Sequence, residues 1–82
     1  MRFSAAVVKE QGVTFTVLKV KSGYLTQDNL SASQTSAPQN LPRPIILMED
    51  SSQGPRYLGR HDIVNFLSGV YVEQLPWQKF EV

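Results

Sequence analysis

The chain has 82 residues, 41% of them hydrophobic, and 8 Lys and Arg against 7 Asp and Glu give a formal net charge of +1. A chain of this length buries roughly 60% of the surface that its unfolded form exposes, which predicts a single domain over residues 1–82 with one modest core. The near-neutral charge argues against holding nucleic acid through phosphates alone, and the apolar content argues against global disorder.

The chain contains no cysteine, which excludes disulfides, thiol catalysis, dithiol redox chemistry and cysteine-based zinc sites. Small secreted domains often need such cross-links, so we expect a cytoplasmic protein. The apolar stretch near the N-terminus ends at Lys9, which makes it too short for the core of a signal peptide. No apolar run approaches the ~20 residues that span a bilayer, so we expect no membrane partner.

The first predicted elements are two strands, over residues 3–9 and 13–21, that form a hairpin. Both are rich in Val, Phe and Thr, and Glu10-Gln11-Gly12 fits a three-residue loop whose last residue has positive φ. The apolar phase shifts between Val17 and Leu18, which indicates either a β-bulge or a strand covered on both faces. We favour the bulge, because it places the polar side chains of this strand in solvent. These side chains are Thr14, Thr16, Lys19 and Lys21.

A polar segment over residues 26–40 follows, and ten of its fifteen residues are Ser, Thr, Gln or Asn. Structureless loops of this length are uncommon inside a compact domain, so we predict a short helix over residues 26–36. Thr26 would cap its N-terminus, Asp28 would lie in its first turn and Pro38 would end it. The side chains expected to reach the core are Leu25, Leu30 and Ala37.

An apolar strand and a second hairpin come next. The prolines of Leu41-Pro42-Arg43-Pro44 disfavour helix at the residues before them. The unbroken apolar run over residues 45–48 is typical of an interior strand that is buried on both faces. Turn-forming residues over 49–55 then return the chain into a short strand at residues 56–58.

The clearest helix begins after Gly59. Apolar residues at positions 63, 66, 67 and 70 follow the spacing of a buried helical stripe, which Val64 and Tyr71 would widen. Asp62 lies in the first turn and Gly69 supplies a C-terminal stop.

Residues 77–82 are predicted to form the final strand. The element order therefore predicts an α+β fold. It is a small mixed sheet of about five strands, in the order β-β-α-β-β-α-β, with one or two helices packed on it.

The segment from Pro44 to Leu67 resembles the distal half of a thioredoxin-like domain, in which a proline opens an apolar strand and a glycine precedes the last helix. Pro44 and Gly59 stand at these two places. The resemblance covers under a third of the chain and implies a cis peptide bond before Pro44. The chain departs from the family in its N-terminal hairpin and in lacking a Cys-x-x-Cys motif, so the resemblance implies no redox activity.

The stretch from residue 56 to residue 62 is the most suggestive candidate site. It places two arginines, a tyrosine and the single histidine at a strand-to-helix junction. Free N–H groups at a helix start attract anions, and a guanidinium adds a forked donor. The candidate residues for binding a small anion or a phosphorylated ligand are Arg56, Tyr57, Gly59, Arg60 and His61.

A purely structural interpretation of the same stretch is also available. In it, Gly59 makes the turn, Asp62 complements the helix dipole, and the arginines are solvated or pair with Glu49 and Asp50. Lone glycines and basic residues at helix starts are common for such structural reasons. We give this interpretation the greater weight.

Other chemistry finds little support in the sequence. His61 has no partner that would orient it as a general base, and the serines match no nucleophile motif, so we assign no catalytic residue. One histidine and scattered carboxylates show no metal-ligand spacing, so we expect no metal and no cofactor. Basic residues on a sheet face could contact phosphates, although aromatic stacking partners are missing there. These residues are Lys9, Lys19 and Lys21.

The sequence therefore favours a non-enzymatic protein-interaction module, with self-association into a homodimer as one mode. Tyr71 and Trp77, near a C-terminal strand at the sheet edge, are of the kinds that concentrate at interfaces. A single tryptophan also often closes one end of a small core. The alternatives are anion or phosphorylated-ligand binding at residues 56–62, within a small enzyme or regulator, and nucleic-acid binding through the three lysines.

Overall fold

The structure, a computed structural model, describes residues 2–10 and 12–81. These residues form five strands: β1 (Arg2–Glu10), β2 (Val13–Val20), β3 (Ile45–Ser51), β4 (Gly54–Leu58) and β5 (Trp77–Glu81). The helices are α1 (Gln27–Ser36) and α2 (His61–Ser68), and a 3-10 helix spans Val72–Gln74. The order β-β-α-β-β-α-β and the mixed sheet confirm the predicted α+β fold.

The five strands form one sheet in the order β4-β3-β2-β1-β5. β1 and β2 pair antiparallel, as do β3 and β4, whereas β2 and β3 run parallel. A parallel pair needs a crossover connection, and α1 supplies it. β5 returns to pair antiparallel with β1, so β4 and β5 are the edges of the sheet that the described residues form.

The register of the first hairpin runs without interruption from Glu10 opposite Val13 to Ala5 opposite Leu18. The bulge predicted beside Leu18 is therefore wrong, and the alternative, a strand covered on both faces, is right. β2 is an interior strand whose alternate side chains join two different core clusters, one under each helix. Its middle residues are consequently buried whichever face they point to. They are Phe15, Thr16 and Val17.

The polar residues of β2 do not share a solvent-facing side, contrary to the prediction. Thr16 is fully buried, and its hydroxyl donates a hydrogen bond to the carbonyl oxygen of Pro42 at 2.8 Å. Lys19 lies three positions after Thr16 in the strand, so its side chain points to the opposite face of the sheet. There its ammonium lies 2.9 Å from Asp50. Burial of Thr16 is tolerated because its hydroxyl has a partner.

The hairpin loop is shorter than predicted. Glu10 pairs with Val13 and therefore belongs to the strand instead of the loop. Gly12 has a φ of 79°, as expected for the last loop residue. The remaining loop residue of the prediction, Gln11, lies outside the described residues.

The N-terminal half of α1 agrees with the prediction. Thr26 is the N-cap, and its hydroxyl accepts a hydrogen bond from the backbone N–H of Asn29 at 3.2 Å. Leu30 is buried against β3, with Leu25 and Ala37 packed around the same cluster. The helix is thus held onto the sheet through a few apolar contacts despite its polar composition.

The C-terminal half of α1 is held by two side chains that sequence reasoning did not single out. Gln34 is linked to β3 in both directions: its amide donates to the carbonyl of Ile45 at 2.9 Å and its oxygen accepts from the N–H of Ile45 at 3.0 Å. Arg43 donates hydrogen bonds of 2.7 to 3.1 Å to four carbonyl oxygens at and beyond the end of α1. The acceptors belong to Gln34, Ala37, Pro38 and Leu41.

The second helix covers the opposite face of the sheet. Ile63 and Leu67 are buried, and the ring of Phe66 contacts Phe15 edge to face with centroids 6.4 Å apart. α2 ends at Ser68, so Tyr71 lies beyond the helix and is 74% exposed. The prediction that Tyr71 widens the buried stripe is therefore wrong.

Trp77 closes one end of this core. It packs against the buried cluster, and its indole N–H donates to the carbonyl oxygen of Val72 at 2.7 Å. The bond joins the start of β5 to the 3-10 helix. The structural interpretation of this tryptophan thus has direct support.

The segment that resembles a thioredoxin-like domain contains the strand–strand–helix order of β3, β4 and α2. The peptide bond between Arg43 and Pro44 is cis, as the resemblance implies. None of the helices in the described part of the chain is long and apolar enough to cross a bilayer.

Candidate interaction surface

The arginine nearest the start of α2 already has a carboxylate partner. The Nε and Nη2 atoms of Arg60 donate to the two oxygens of Asp62 at 2.7 and 2.8 Å. This pairing raises the pKa of Arg60 and lowers the pKa of Asp62, in both cases chiefly through the hydrogen bonds between them. The forked donor that would have held an external anion is therefore engaged within the chain.

Gly59 and Tyr57 both pack against the core beneath α2. A Cβ on Gly59 would collide with the side chain of Ile46, so the glycine sets the close approach between β3 and the start of α2. Tyr57 is half-buried on the α2 side, and its hydroxyl is buried without a hydrogen-bond partner among the described residues. Burial, followed by the charges of Asp50 and Glu73, raises the pKa of Tyr57.

The remaining two residues of this candidate site are exposed. One guanidinium nitrogen of Arg56 lies 3.9 Å from a carboxylate oxygen of Glu49, and His61 is exposed at the first position of α2. Because neighbouring strand residues point to opposite faces, Arg56 and Tyr57 lie on different sides of β4. The five predicted residues thus lie along one stretch of chain but do not converge on one point.

The three lysines do not form a basic strip. Lys9 lies two positions after Val7 in β1 and therefore shares its face on the α1 side of the sheet, whereas Lys19 points to the α2 side and pairs with Asp50. Lys21 follows the end of β2 in a loop. This arrangement gives nucleic-acid binding less support than the sequence did. Within residues 2–10 and 12–81, no three His, Asp or Glu residues are grouped so that they could hold a metal ion.

The two faces of the sheet are covered to different extents. On the α2 side, a continuous buried cluster extends from β1 to β3 beneath α2 and the segment before β5. On the α1 side, the buried cluster is smaller and is centred on Leu30, Ile45 and Leu47. α1 packs on β3 and leaves β1 and β5 largely uncovered on this side. Half of one sheet face therefore lacks a helical layer.

The uncovered strands and the adjacent side of β2 together carry apolar side chains, which we call the open face. Their rings and methyl groups are half-buried and remain partly accessible, and two of them, Leu18 and Val20, also pack against the cluster around Leu30. The rings of Phe3 and Phe80 stack with centroids 5.4 Å apart and planes 13° from parallel, which continues the apolar surface from β1 to the edge strand β5. The open face consists of Phe3, Val7, Leu18, Val20 and Phe80.

A groove of about 510 Å³ runs between the open face and α1. Its floor is formed by Phe3, Leu18 and Val20. Its wall is one side of α1 that carries small polar and apolar side chains at i, i+3, i+4 and i+7 spacing. The wall residues are Asn29, Ala32, Ser33 and Ser36.

One end of the groove carries a lysine and an exposed aromatic ring. Lys21 lines the groove and forms no ion pair with another described residue, and Tyr24 is 56% exposed. Hydrogen bonds hold this loop in place: the N–H of Gly23 donates to a carboxylate oxygen of Glu49 at 2.7 Å, and the Asn29 amide donates to the carbonyl of Tyr24 at 3.0 Å. The positive end of the groove therefore has a defined position.

Sequence reasoning singled out residues 56–62 and missed the groove. Two signals pointed to it: the phase shift in β2, which places Leu18 and Val20 on the second face, and the small side chains at helical spacing from Asn29 to Ser36. No protein-family model matches the chain, and neither a curated protein nor a solved structure matches it. The chemistry of this surface is therefore the basis on which we infer a function.

Proposed function

We propose that this protein is a non-enzymatic interaction module whose open face binds the apolar side of an amphipathic helix from a protein partner. The observation that carries the proposal is the groove of about 510 Å³ between an apolar sheet face and α1. An apolar sheet face is normally buried against another layer of the fold, and half of this apolar face has no helix over it. A partner helix placed beside α1 would complete the layer.

The dimensions of the open face suit one helix. Neighbouring strands lie about 4.8 Å apart, so β2, β1 and β5 span about 10 Å, close to the ~10 Å diameter of an α-helix. The wall of α1 presents Ala32, Ser33 and Ser36. Small side chains of this kind allow two helix axes to approach to about 8 Å. Binding of helices in apolar grooves is a recurrent mode of peptide recognition.

The charge at the end of the groove favours an acidic partner. Lys21 is exposed and has no ion-pair partner among the described residues. A glutamate or aspartate on the rim of the bound helix would pair with it. Such a rim pair contributes more to orientation and association rate than to affinity, and its effect should weaken as salt is added.

The expected cytoplasmic location belongs to the same proposal and is supported by the absence of cysteine. Anion binding at residues 56–62 is less well supported, because Asp62 already occupies the guanidinium of Arg60. Nucleic-acid binding is less well supported because Lys9 and Lys19 point to opposite faces of the sheet.

A titration with a synthetic peptide tests the proposal. The peptide carries leucines at helical spacing on one side and glutamates on the other, and a scrambled peptide of the same composition is the control. We expect amide NMR shifts at Leu18, Val20 and Ala32 with the helical peptide only. Shifts confined to residues 56–61 or no shifts with either peptide would contradict the proposal.

Two neighbouring positions of α1 provide a matched pair of variants. Ala32 and Ser31 are both exposed, but only Ala32 lines the groove. Ala32→Glu places a charge against the bound apolar side and should weaken peptide binding at least about tenfold, which corresponds to ~1.4 kcal/mol. Ser31→Glu carries the same charge on the outer side of the helix and should bind normally. Equal effects of the two variants would rule out the groove as the binding site.

A further inference from the structure

The two edge strands of the sheet differ in their ability to pair with another strand. β4 contains Pro55, which lacks an N–H donor, and pairs with β3 through its five residues. β5 contains no proline between Trp77 and Glu81, and within the described residues its outer edge has no neighbouring strand. Unprotected edges are templates for pairing with a further strand.

We propose that two copies of this protein associate through β5, which pairs antiparallel with β5 of the partner subunit so that Phe80 lies opposite Phe80 of the partner subunit. The two sheets then form one continuous sheet. This inference goes beyond the proposed function and does not depend on it, because β5 pairs through its outer edge while the open face stays uncovered.

Symmetry limits the register of such a pair. Two identical edges that pair antiparallel are related by a two-fold axis perpendicular to the sheet, so each face of one sheet continues into the same face of the other. Residues directly opposite each other point to the same face. The axis must therefore pass midway between one residue of β5 and the same residue of the partner subunit. The residues of β5 that can occupy this central position with a strand residue on each side are Gln78, Lys79 and Phe80.

Two of these registers contain an unfavourable pair. Centring the pair on Lys79 places two ammonium groups directly opposite each other, and like charges in this position are destabilising. Centring it on Gln78 brings Pro76 opposite Phe80 of the partner subunit, where the proline has no N–H to donate.

The register centred on Phe80 has favourable pairs on both faces. On the α2 side, Lys79 lies opposite Glu81 of the partner subunit, and the symmetry repeats this pair. On the α1 side, the two Phe80 rings meet and extend the stack that each already forms with Phe3. A carboxylate accepts several hydrogen bonds, so Glu81 can take this ammonium in addition to the interaction it has within its own chain.

The two open faces come together in this dimer. Because the axis is perpendicular to the sheet, both α1 helices lie on the same side, one at each end of a common apolar floor. The floor would continue from β2 and β1 through the paired β5 strands into the second copy.

Sedimentation of wild type and charge variants tests the pairing. A short strand pair buries less than the ~1,600 Å² of a standard interface, so association is expected between about 10 μM and about 1 mM. Lys79→Glu or Glu81→Lys alone places like charges opposite each other and should weaken the dimer at least tenfold. An equimolar mixture of the two variants pairs opposite charges again and should restore it. Circular dichroism of each variant at low concentration confirms that it folds.

Wild type that stays monomeric over this range would overturn the proposal. So would a wild-type dimer that neither charge variant weakens. Restoration in the mixture would show that positions 79 and 81 of the two subunits face each other's charges across the interface, because each variant alone carries two like charges on this edge.

Single cysteines give an independent test of the register, because the chain has no cysteine of its own. In the proposed register only position 80 faces its own copy, about 5 Å away, within the 4.4–6.8 Å range of a disulfide. Phe80→Cys should therefore cross-link rapidly under mild oxidation, while Gln78→Cys and Lys79→Cys should cross-link slowly. Faster cross-linking at position 78 or 79 would overturn the register.

Discussion

At the scale of single residues, Gly59 sets how closely α2 can approach the sheet. A methyl group at this position would collide with the side chain of Ile46, which is fully buried and has little room to move. We therefore expect Gly59→Ala to destabilise the protein by about 1–3 kcal/mol, because it overpacks the core and because the φ of 158° at this position disfavours an L side chain. Urea unfolding measures this change.

A second glycine provides the control for this prediction. The nearest atom to a Cβ on Gly69 would be a backbone oxygen at 3.7 Å, which is an ordinary contact. Gly69→Ala should therefore have little effect. In the Gly59→Ala background, Ile46→Val removes the colliding methyl group. It should therefore lower the free energy of unfolding by less than the same substitution does in wild type. An equal cost of Ile46→Val in both backgrounds would show that the collision is not the cause.

The buried hydroxyl of Tyr57 forms no hydrogen bond with another described residue. Tyr57→Phe removes a desolvated group and no hydrogen bond, so we expect unchanged or higher stability at neutral pH, by up to about 1 kcal/mol. If Tyr57→Phe instead lowers the free energy of unfolding by more than about 1 kcal/mol, the hydroxyl has a hydrogen-bond partner in the folded protein.

The same side chain predicts how stability changes at alkaline pH. Burial and nearby carboxylates raise the pKa of Tyr57 above its ordinary value of 10.0. Above that pH the unfolded chain loses the phenol proton first, while the folded chain retains it. The unfolded state then binds fewer protons, so the free energy of unfolding falls as pH rises from about 10. Urea unfolding at a series of pH values should show a smaller fall in Tyr57→Phe.

At the scale of elements, α1 depends on tertiary hydrogen bonds more than on its own composition. Serine and threonine have poor helix propensity, and Arg43 compensates by donating to four carbonyl oxygens around the end of the helix. Lysine keeps the charge but cannot reproduce the planar fork. We expect Arg43→Lys to cost about 2 kcal/mol and to speed amide hydrogen exchange in α1.

A surface arginine is the matched control for this substitution. Arg56 is exposed and has one long contact of 3.9 Å with Glu49. Arg56→Lys should therefore change stability by no more than about 0.5 kcal/mol. Equal effects of the two substitutions would show that the fork of Arg43 does not stabilise the helix end.

The elements themselves could be predicted because their signals are local. Thr26 as the N-cap of α1, the apolar run from residue 45 and the stripe of α2 each depend on neighbours in sequence. The bulge at Leu18 was wrong because the same pattern fits a strand covered on both faces. That choice depends on a helix about ten residues later in the chain and on where it packs.

The candidate site was harder to predict for a related reason. Residue types drew attention to Arg60 and its neighbours, but the type of a residue does not show whether its charge is already paired. Asp62 pairs with it across only two positions. The open face, by contrast, exists because α1 packs on β3 and not on β1. That placement is a property of the whole fold, so the phase shift in β2 and the small side chains of α1 indicate this surface only once the position of α1 on the sheet is known.

At the scale of the whole molecule, the unequal cover of the two sheet faces predicts how the folded protein binds an apolar dye. An exposed apolar groove should bind 8-anilinonaphthalene-1-sulfonate at neutral pH, at dilutions where the chain is monomeric. Ala32 lines the groove and is exposed. Ala32→Leu would fill part of the groove, so we expect lower dye fluorescence and higher stability by about 1 kcal/mol, since it buries added methyl groups.

The neighbouring position separates filling of the groove from a general gain in helix stability. Ser31→Leu adds the same side chain to the outer side of α1, where it improves helix propensity but buries little surface. It should leave dye binding unchanged, whereas Ala32→Leu should reduce it. Dye binding that is absent in wild type, or reduced equally by both variants, would mean that the open face is not an accessible apolar surface. In that case the proposed helix-binding role would lose its physical basis, while pairing through β5 would still stand on its own test.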